Sequence, residues 1–132
     1  VKGIDMNKRL MSITKVFTFD SAHHLDGYEG KCKYTHGHTY KLEVTLKGPI
    51  DKTGFVIDFH DLDRVVKSEV ISIVDHKYLN EIFDFNPTCE LLGIWIWDKM
   101  ELSLKGEEYF LEKIVLWETP TSFITIDRRD MV

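Results

Sequence analysis

The sequence has few cysteines, few prolines and no long apolar run. Two cysteines, Cys32 and Cys89, are too few for a disulfide framework in 132 residues. With only three prolines, long strands and helices can run without a break. The longest apolar stretch, LLGIWIW at 91–97, is far below the roughly 18 residues that a membrane-spanning helix needs. It reads as a buried element, and no membrane partner is expected. Basic charge is also scarce. Seventeen Lys and Arg against 22 Asp and Glu give a net charge of −5, which argues against a nucleic-acid binder. A local basic pocket for a small anion stays open. The first residues, VKGIDMNKRLMS, hold no apolar signal core, so a cytoplasmic chain with reduced thiols is expected. Residues 1–11 read as a loose tail and 12–132 as one domain, large enough for its own core.

Hydrophobic period divides the rest. SITKVFTF (12–19) is β-branched and aromatic and reads as a strand. TYKLEVTLK (39–47) alternates, with Tyr40, Leu42, Val44 and Leu46 on one side, so it is a strand with one wet face. GPIDKTG (48–54) is turn chemistry, and FVIDF after it is a short strand or a lead-in. From Phe59 to Val74 the apolar residues fall at helical spacing, with Asp58 placed to cap. NPTCE (86–90) starts a second helix, with Pro87 suited to its first turn and Asn86 or Thr88 to its cap. That helix is apolar nearly all round and is expected to be well buried. YFLEKIVLWET (109–119) and SFITI (122–126) are the last strands. The order β-β-α-α-β-β implies an α+β fold, an antiparallel sheet covered on one face.

GKCKYTHGHTYKLEV (30–44) carries the chemistry. Strand side chains two apart share a face, so a strand reaching back to His36 points His36 and His38 together. Paired imidazoles suit a divalent metal. His23, in SAHHL, is the third candidate, and three histidines leave a zinc position open, as catalytic sites do. His24 is a possible substitute for His23. His60, near a helix start, reads as a surface residue. Cys32 admits three roles: fourth ligand, buried thiol or base with a lowered pKa beside Lys31 and Lys33. Taken alone, Asp75 and His76 read as a polar helix end, Glu118 as a solvent-facing carboxylate and Cys89 as a small buried residue.

Together, FDSAHHL, CKYTHGHTYKLEV, GFVIDFHDL, VDHKYLN, NPTCE and VLWET resemble, in order, the 6-pyruvoyl-tetrahydropterin synthase and 6-carboxy-tetrahydropterin synthase family over residues 13 to 127. The resemblance implies a tunnelling fold: a four-stranded antiparallel sheet with two helices on one face. Members assemble as hexamers, dimers of trimers, with sites between subunits. It implies a zinc triad of His23, His36 and His38, with Cys32 as proton acceptor and Asp75 and His76 as its partner pair. Glu118 would anchor the pterin, and Thr88, Cys89 and Glu90 would line its pocket. The implied substrate is 7,8-dihydroneopterin triphosphate, with Lys31, Lys33, Lys77, Arg128 and Arg129 as candidate phosphate cations. Three residues between Cys32 and His36, and eight between His23 and Cys32, resemble the bacterial 6-carboxy-tetrahydropterin synthases of queuosine synthesis. Animal-type pyruvoyl synthases carry a longer insertion. A folate-linked branch has Glu where Lys33 stands. Two features depart from the family: the SFITIDRRD ending, and Cys89 where Ser or Thr is usual.

Overall fold

Alternation in the first half of the chain becomes two long paired strands. In the computed structural model, which describes residues 3–4, 9–27, 29–30 and 33–131, β1 (Leu10–His23) pairs antiparallel with β2 (His36–Pro49). The register sets Leu10 against Pro49 and His23 against His36. β1 begins at Leu10, so the strand takes in the last two residues of the expected tail. β2 reaches back to His36 as the His-Gly-His reading requires.

FVIDF forms no strand. It leads into α1 (Phe59–Val66), where the Asp58 carboxylate accepts from the His60 N–H at 2.8 Å. The same helical run continues through a π-helical turn, Lys67–Ile71, into α2 (Ser72–Val74). Next come a two-residue strand, β3 (Lys77–Tyr78), and one turn of helix, α3 (Leu79–Ile82), neither of which the sequence announced. α4 (Cys89–Ser103) is capped by Thr88, whose hydroxyl accepts from the Leu91 N–H at 3.1 Å. Pro87 therefore precedes the cap rather than opening the helix. β4 (Phe110–Thr119) and β5 (Ser122–Asp127) complete the sheet.

The strand order is β3-β1-β2-β4-β5. The expected four-stranded antiparallel sheet is present, with β3 added as a fifth strand that runs parallel to β1. Its pairing is local: after α2 the chain meets the end of β1 and matches Lys77 with Ser21 and Tyr78 with Ala22.

One sheet face is covered. Phe17, Phe19, Tyr40, Leu42, Val44, Leu46, Leu111, Ile114 and Leu116 share a core with Leu62, Val66, Val70, Leu92, Ile96 and Met100 from the helices. Gly93 lets α4 come close to β5, since a Cβ there would lie 2.7 Å from Ile124 Cδ1. The outer side of α4 differs from expectation, because Ile94 and Leu102 are 50% and 66% exposed. The sheet needs only one side of the helix, so the remaining apolar residues face outward. The other sheet face carries Thr18, Asp20, Thr39 and Lys41, all exposed.

Leu42→Ala, at a fully buried position, should cost about 2–5 kcal/mol. Thr18→Ala, on the open face, should cost less than about 1 kcal/mol. Urea denaturation measures both, and equal losses would contradict one-sided burial.

Candidate metal centre and active site

The end of the β1–β2 pair brings three imidazoles together. His23 continues the covered-face series of Phe17, Phe19 and Ser21, and His36 and His38 continue that of Tyr40 and Leu42. One ring nitrogen from each of His23, His36 and His38 lies within 4.8 Å of the others. His23 is fully buried.

Backbone carbonyls set two of the three rings. His23 Nδ1 lies 2.8 Å from the Pro87 carbonyl and His36 Nδ1 lies 2.7 Å from the Tyr34 carbonyl. A carbonyl only accepts, so both Nδ1 atoms carry the proton and donate. In the neutral rings, both Nε2 atoms are then bare, and they face each other at 3.0 Å. Two lone pairs cannot bond to one another. The third nitrogen, His38 Nε2, is buried and has no hydrogen-bond partner among the described residues. Two facing lone pairs beside a buried, unpartnered ring nitrogen are a costly arrangement unless a cation lies between them.

The donor set fits zinc. Two nitrogens at 2.0–2.1 Å from a tetrahedral ion lie about 3.3 Å apart, close to the His23–His36 separation. The ring N–H bonds to Pro87 and Tyr34 are the outer support that zinc-binding histidines commonly have.

Glu118 joins this group from β4. A bulge opposite Thr45 and Leu46 sets the later part of the strand so that Ile114, Leu116 and Glu118 share the covered face. Its Oε1 lies 4.0 Å from His38 Nε2. It is therefore half-buried beside the imidazoles rather than solvent-facing.

The family model described as 6-pyruvoyl tetrahydropterin synthase matches residues 12–129. The chain belongs to that family. The 6-carboxy-5,6,7,8-tetrahydropterin synthase of Haemophilus influenzae is 34% identical to it over 86% of this chain and 96% of its own length. The 6-pyruvoyl tetrahydrobiopterin synthase of Drosophila melanogaster is also 34% identical, over 86% of this chain and 77% of its own. The structure of Caenorhabditis elegans 6-pyruvoyl tetrahydropterin synthase aligns with a TM-score of 0.80 at 28% identity, covering 90% of this chain and 96% of that one. The members of this synthase family are pterin-processing enzymes.

The remaining family positions are distributed as follows. Asp75 and His76 form a pair, with Oδ1 to Nδ1 at 3.0 Å, in a second group with Asp20 that is separate from the three imidazoles. Asp75 Oδ1 also accepts from the Asp20 N–H at 2.9 Å, and the His76 N–H donates to the Asp20 carbonyl at 2.6 Å. Asp20 lies on the open face, next to the covered-face series that carries His23. The Asp20 N–H first, and then the His76 ring, hold the Asp75 carboxyl below the ordinary carboxylate range. His76 has a φ of 58°, a left-handed conformation that non-glycine residues seldom adopt, and its ring is exposed. Asp20, Thr39, His38, His76, Lys77 and Tyr78 border a cavity of about 510 Å³.

Cys89 is buried with its thiol toward the Leu116 carbonyl at 3.5 Å, and burial, with Glu118 and Glu90, pushes its pKa up to about 12. The Thr88 hydroxyl is committed to capping α4, and Glu90 is exposed on the first turn. Cys32 and Lys31 lie outside the described residues. Lys77 borders the cavity, and Lys33 sits over the Tyr34 ring. Arg128 and Arg129 are at the opposite end of the sheet. Arg128 donates to the Leu111 carbonyl at 2.6 Å, pairs with Glu101 and shares a cleft with Arg129 and Lys47. Lys47 is nine residues along β2 from His38, about 30 Å at strand rise. Within one chain these arginines cannot reach a substrate at the triad.

No sequence signal marked the Pro87 and Tyr34 carbonyls, because any residue offers one. Asp20 was visible only as an alternating polar position. His60 is exposed, as read.

Burial holds the His23 and His38 rings below their ordinary pKa of 6.5. The unfolded chain therefore takes up protons first as pH falls. The metal-free protein should keep its stability above about pH 6.5 and lose it as pH drops through the lowered values. Melting temperatures across that range check this, and a flat profile would contradict the buried neutral rings.

Proposed function

We propose that the protein is a zinc-dependent 6-carboxy-5,6,7,8-tetrahydropterin synthase. It converts 7,8-dihydroneopterin triphosphate to 6-carboxy-tetrahydropterin, with release of acetaldehyde and triphosphate, in queuosine (7-deazaguanine) synthesis. One observation carries the reading: three imidazole nitrogens, two of them bare and facing each other, converge beside a half-buried carboxylate, Glu118. The Haemophilus relative and the short Cys32-to-His36 spacing support the carboxy branch.

His23, His36 and His38 would hold the zinc, which supplies Lewis-acid polarisation to the hydroxyls of the substrate side chain when bound. Glu118 accepts hydrogen bonds from the amino and ring N–H groups of the pterin edge, a pairing two carboxylate oxygens suit. Cys32, as thiolate, takes the carbon-bound proton beside those hydroxyls. Asp75 orients His76, which carries protons on the other side of the substrate. Cys89 is too weak an acid to share that task at neutral pH. Lys77, on the cavity wall, meets the triphosphate.

The pair and the triad belong to different faces of one sheet. The family resemblance carries the reading that the chain assembles as a hexamer of two trimers, with the Asp75–His76 pair of one subunit serving the triad of its neighbour.

A second reading is the pyruvoyl synthase reaction, favoured by the Drosophila relative's equal identity. Incubating zinc-loaded protein with 7,8-dihydroneopterin triphosphate separates the two by mass spectrometry. Acetaldehyde with 6-carboxy-tetrahydropterin is the expected result. Pyruvoyl-tetrahydropterin without acetaldehyde would establish the second reading, and no turnover would overturn both.

A further inference from the structure

His24 is not part of the triad. Its ring is held between two other groups, Asp26 and Tyr78. Nε2 lies 3.1 Å from Asp26 Oδ1, and Nδ1 makes a short hydrogen bond with the Tyr78 hydroxyl. A carboxylate accepts, so in the neutral ring Nε2 carries the proton and Nδ1 accepts from Tyr78. The one Tyr78 proton is then committed. Its oxygen faces the Thr35 hydroxyl at 3.3 Å and accepts from it.

His24 follows His23 and Thr35 precedes His36, so a single hydroxyl bridges the neighbours of two triad residues. Tyr78 is well placed for this, since its backbone pairs with Ala22 through β3. Two residues on, the Asn80 side chain holds the backbone of His24 at both ends. Its Oδ1 accepts from the His24 N–H at 2.9 Å and its Nδ2 donates to the His24 carbonyl at 3.0 Å. Asn86 grips Asp26 in the same way, at 2.9 and 3.2 Å.

We propose that Tyr78 is a positioning residue of the metal centre: by tying His24 to Thr35 just beyond the last ladder pair, its hydroxyl steadies the strand ends that present His23 and His36. The proposal rests on the zinc reading above. Neither Tyr78 nor Thr35 would touch the metal.

The test is Tyr78→Phe, which keeps the ring and removes the bridge. Zinc affinity is read by competition with a chromophoric chelator, and geometry by the visible spectrum of the cobalt-substituted protein. Affinity should fall about threefold to tenfold, less than for a group bonded directly to a ligand ring. The cobalt bands should shift, and the melting temperature of the metal-free protein should stay unchanged. Thr35→Val, at an exposed position, should act in the same direction and add nothing to Tyr78→Phe in the double variant.

Unchanged affinity and spectrum overturn the proposal. So does a loss of affinity matched by a lower melting temperature without metal, which would make the hydroxyl a fold contact only. A parent protein that binds neither zinc nor cobalt overturns the metal reading, and this inference with it.

Discussion

Two imidazole nitrogens face each other across 3.0 Å, each with its proton committed to a backbone carbonyl on the far side of its ring. Much of the structure follows from holding them there. Pro87 supplies one carbonyl, and it is fixed by the Thr88 cap that starts α4. Tyr34 supplies the other, just before β2. The sheet sets the facing of the rings, because His23 and His36 are register partners at the end of the β1–β2 ladder. His38 then falls on the same side, since strand side chains alternate. The arrangement is unfavourable by itself and favourable around a bound cation. The fold tolerates it because the core beneath, from Tyr40 to Leu46, is closed by the helices.

The same alternation divides the candidate chemistry between two faces. Residues at odd positions of β1 lead to the imidazoles, and Asp20 leads to the Asp75–His76 pair. That pair is held by backbone bonds to Asp20 and by a left-handed His76, which turns the chain from α2 into β3. A conformation that costs about 1–2 kcal/mol in an L-residue persists because those bonds fix Asp75 and the His76 N–H while strand pairing holds Lys77.

The period-two pattern made β2 and its two histidines legible, because a strand with one buried face leaves a plain trace in sequence. The capped helices were legible for the same kind of reason: Asp58 and Thr88 both cap as their positions suggest. β3 and α3 were not, because two residues of pairing and one turn of helix leave no period to detect. Glu118 read as exposed on its own. Its facing depends on a bulge in β4, which is a property of the pairing and not of the strand's own residues. Asn80 and Asn86 were also silent, since a side-chain amide that replaces a strand partner looks like any polar loop residue. The arginines near the end of the chain invited a phosphate role by charge alone. Their position about 30 Å away shows that charge without topology does not locate a site.

The central claim is that His23, His36 and His38 together hold the metal while Cys32 stays free of it. X-ray absorption at the zinc edge of the loaded protein tests this directly. Three imidazole nitrogens at about 2.0–2.1 Å, with their outer-ring scattering and no sulfur, are the predicted result. A sulfur scatterer at about 2.3 Å would make Cys32 a ligand instead of a base, and a spectrum without imidazole scattering would contradict the triad itself.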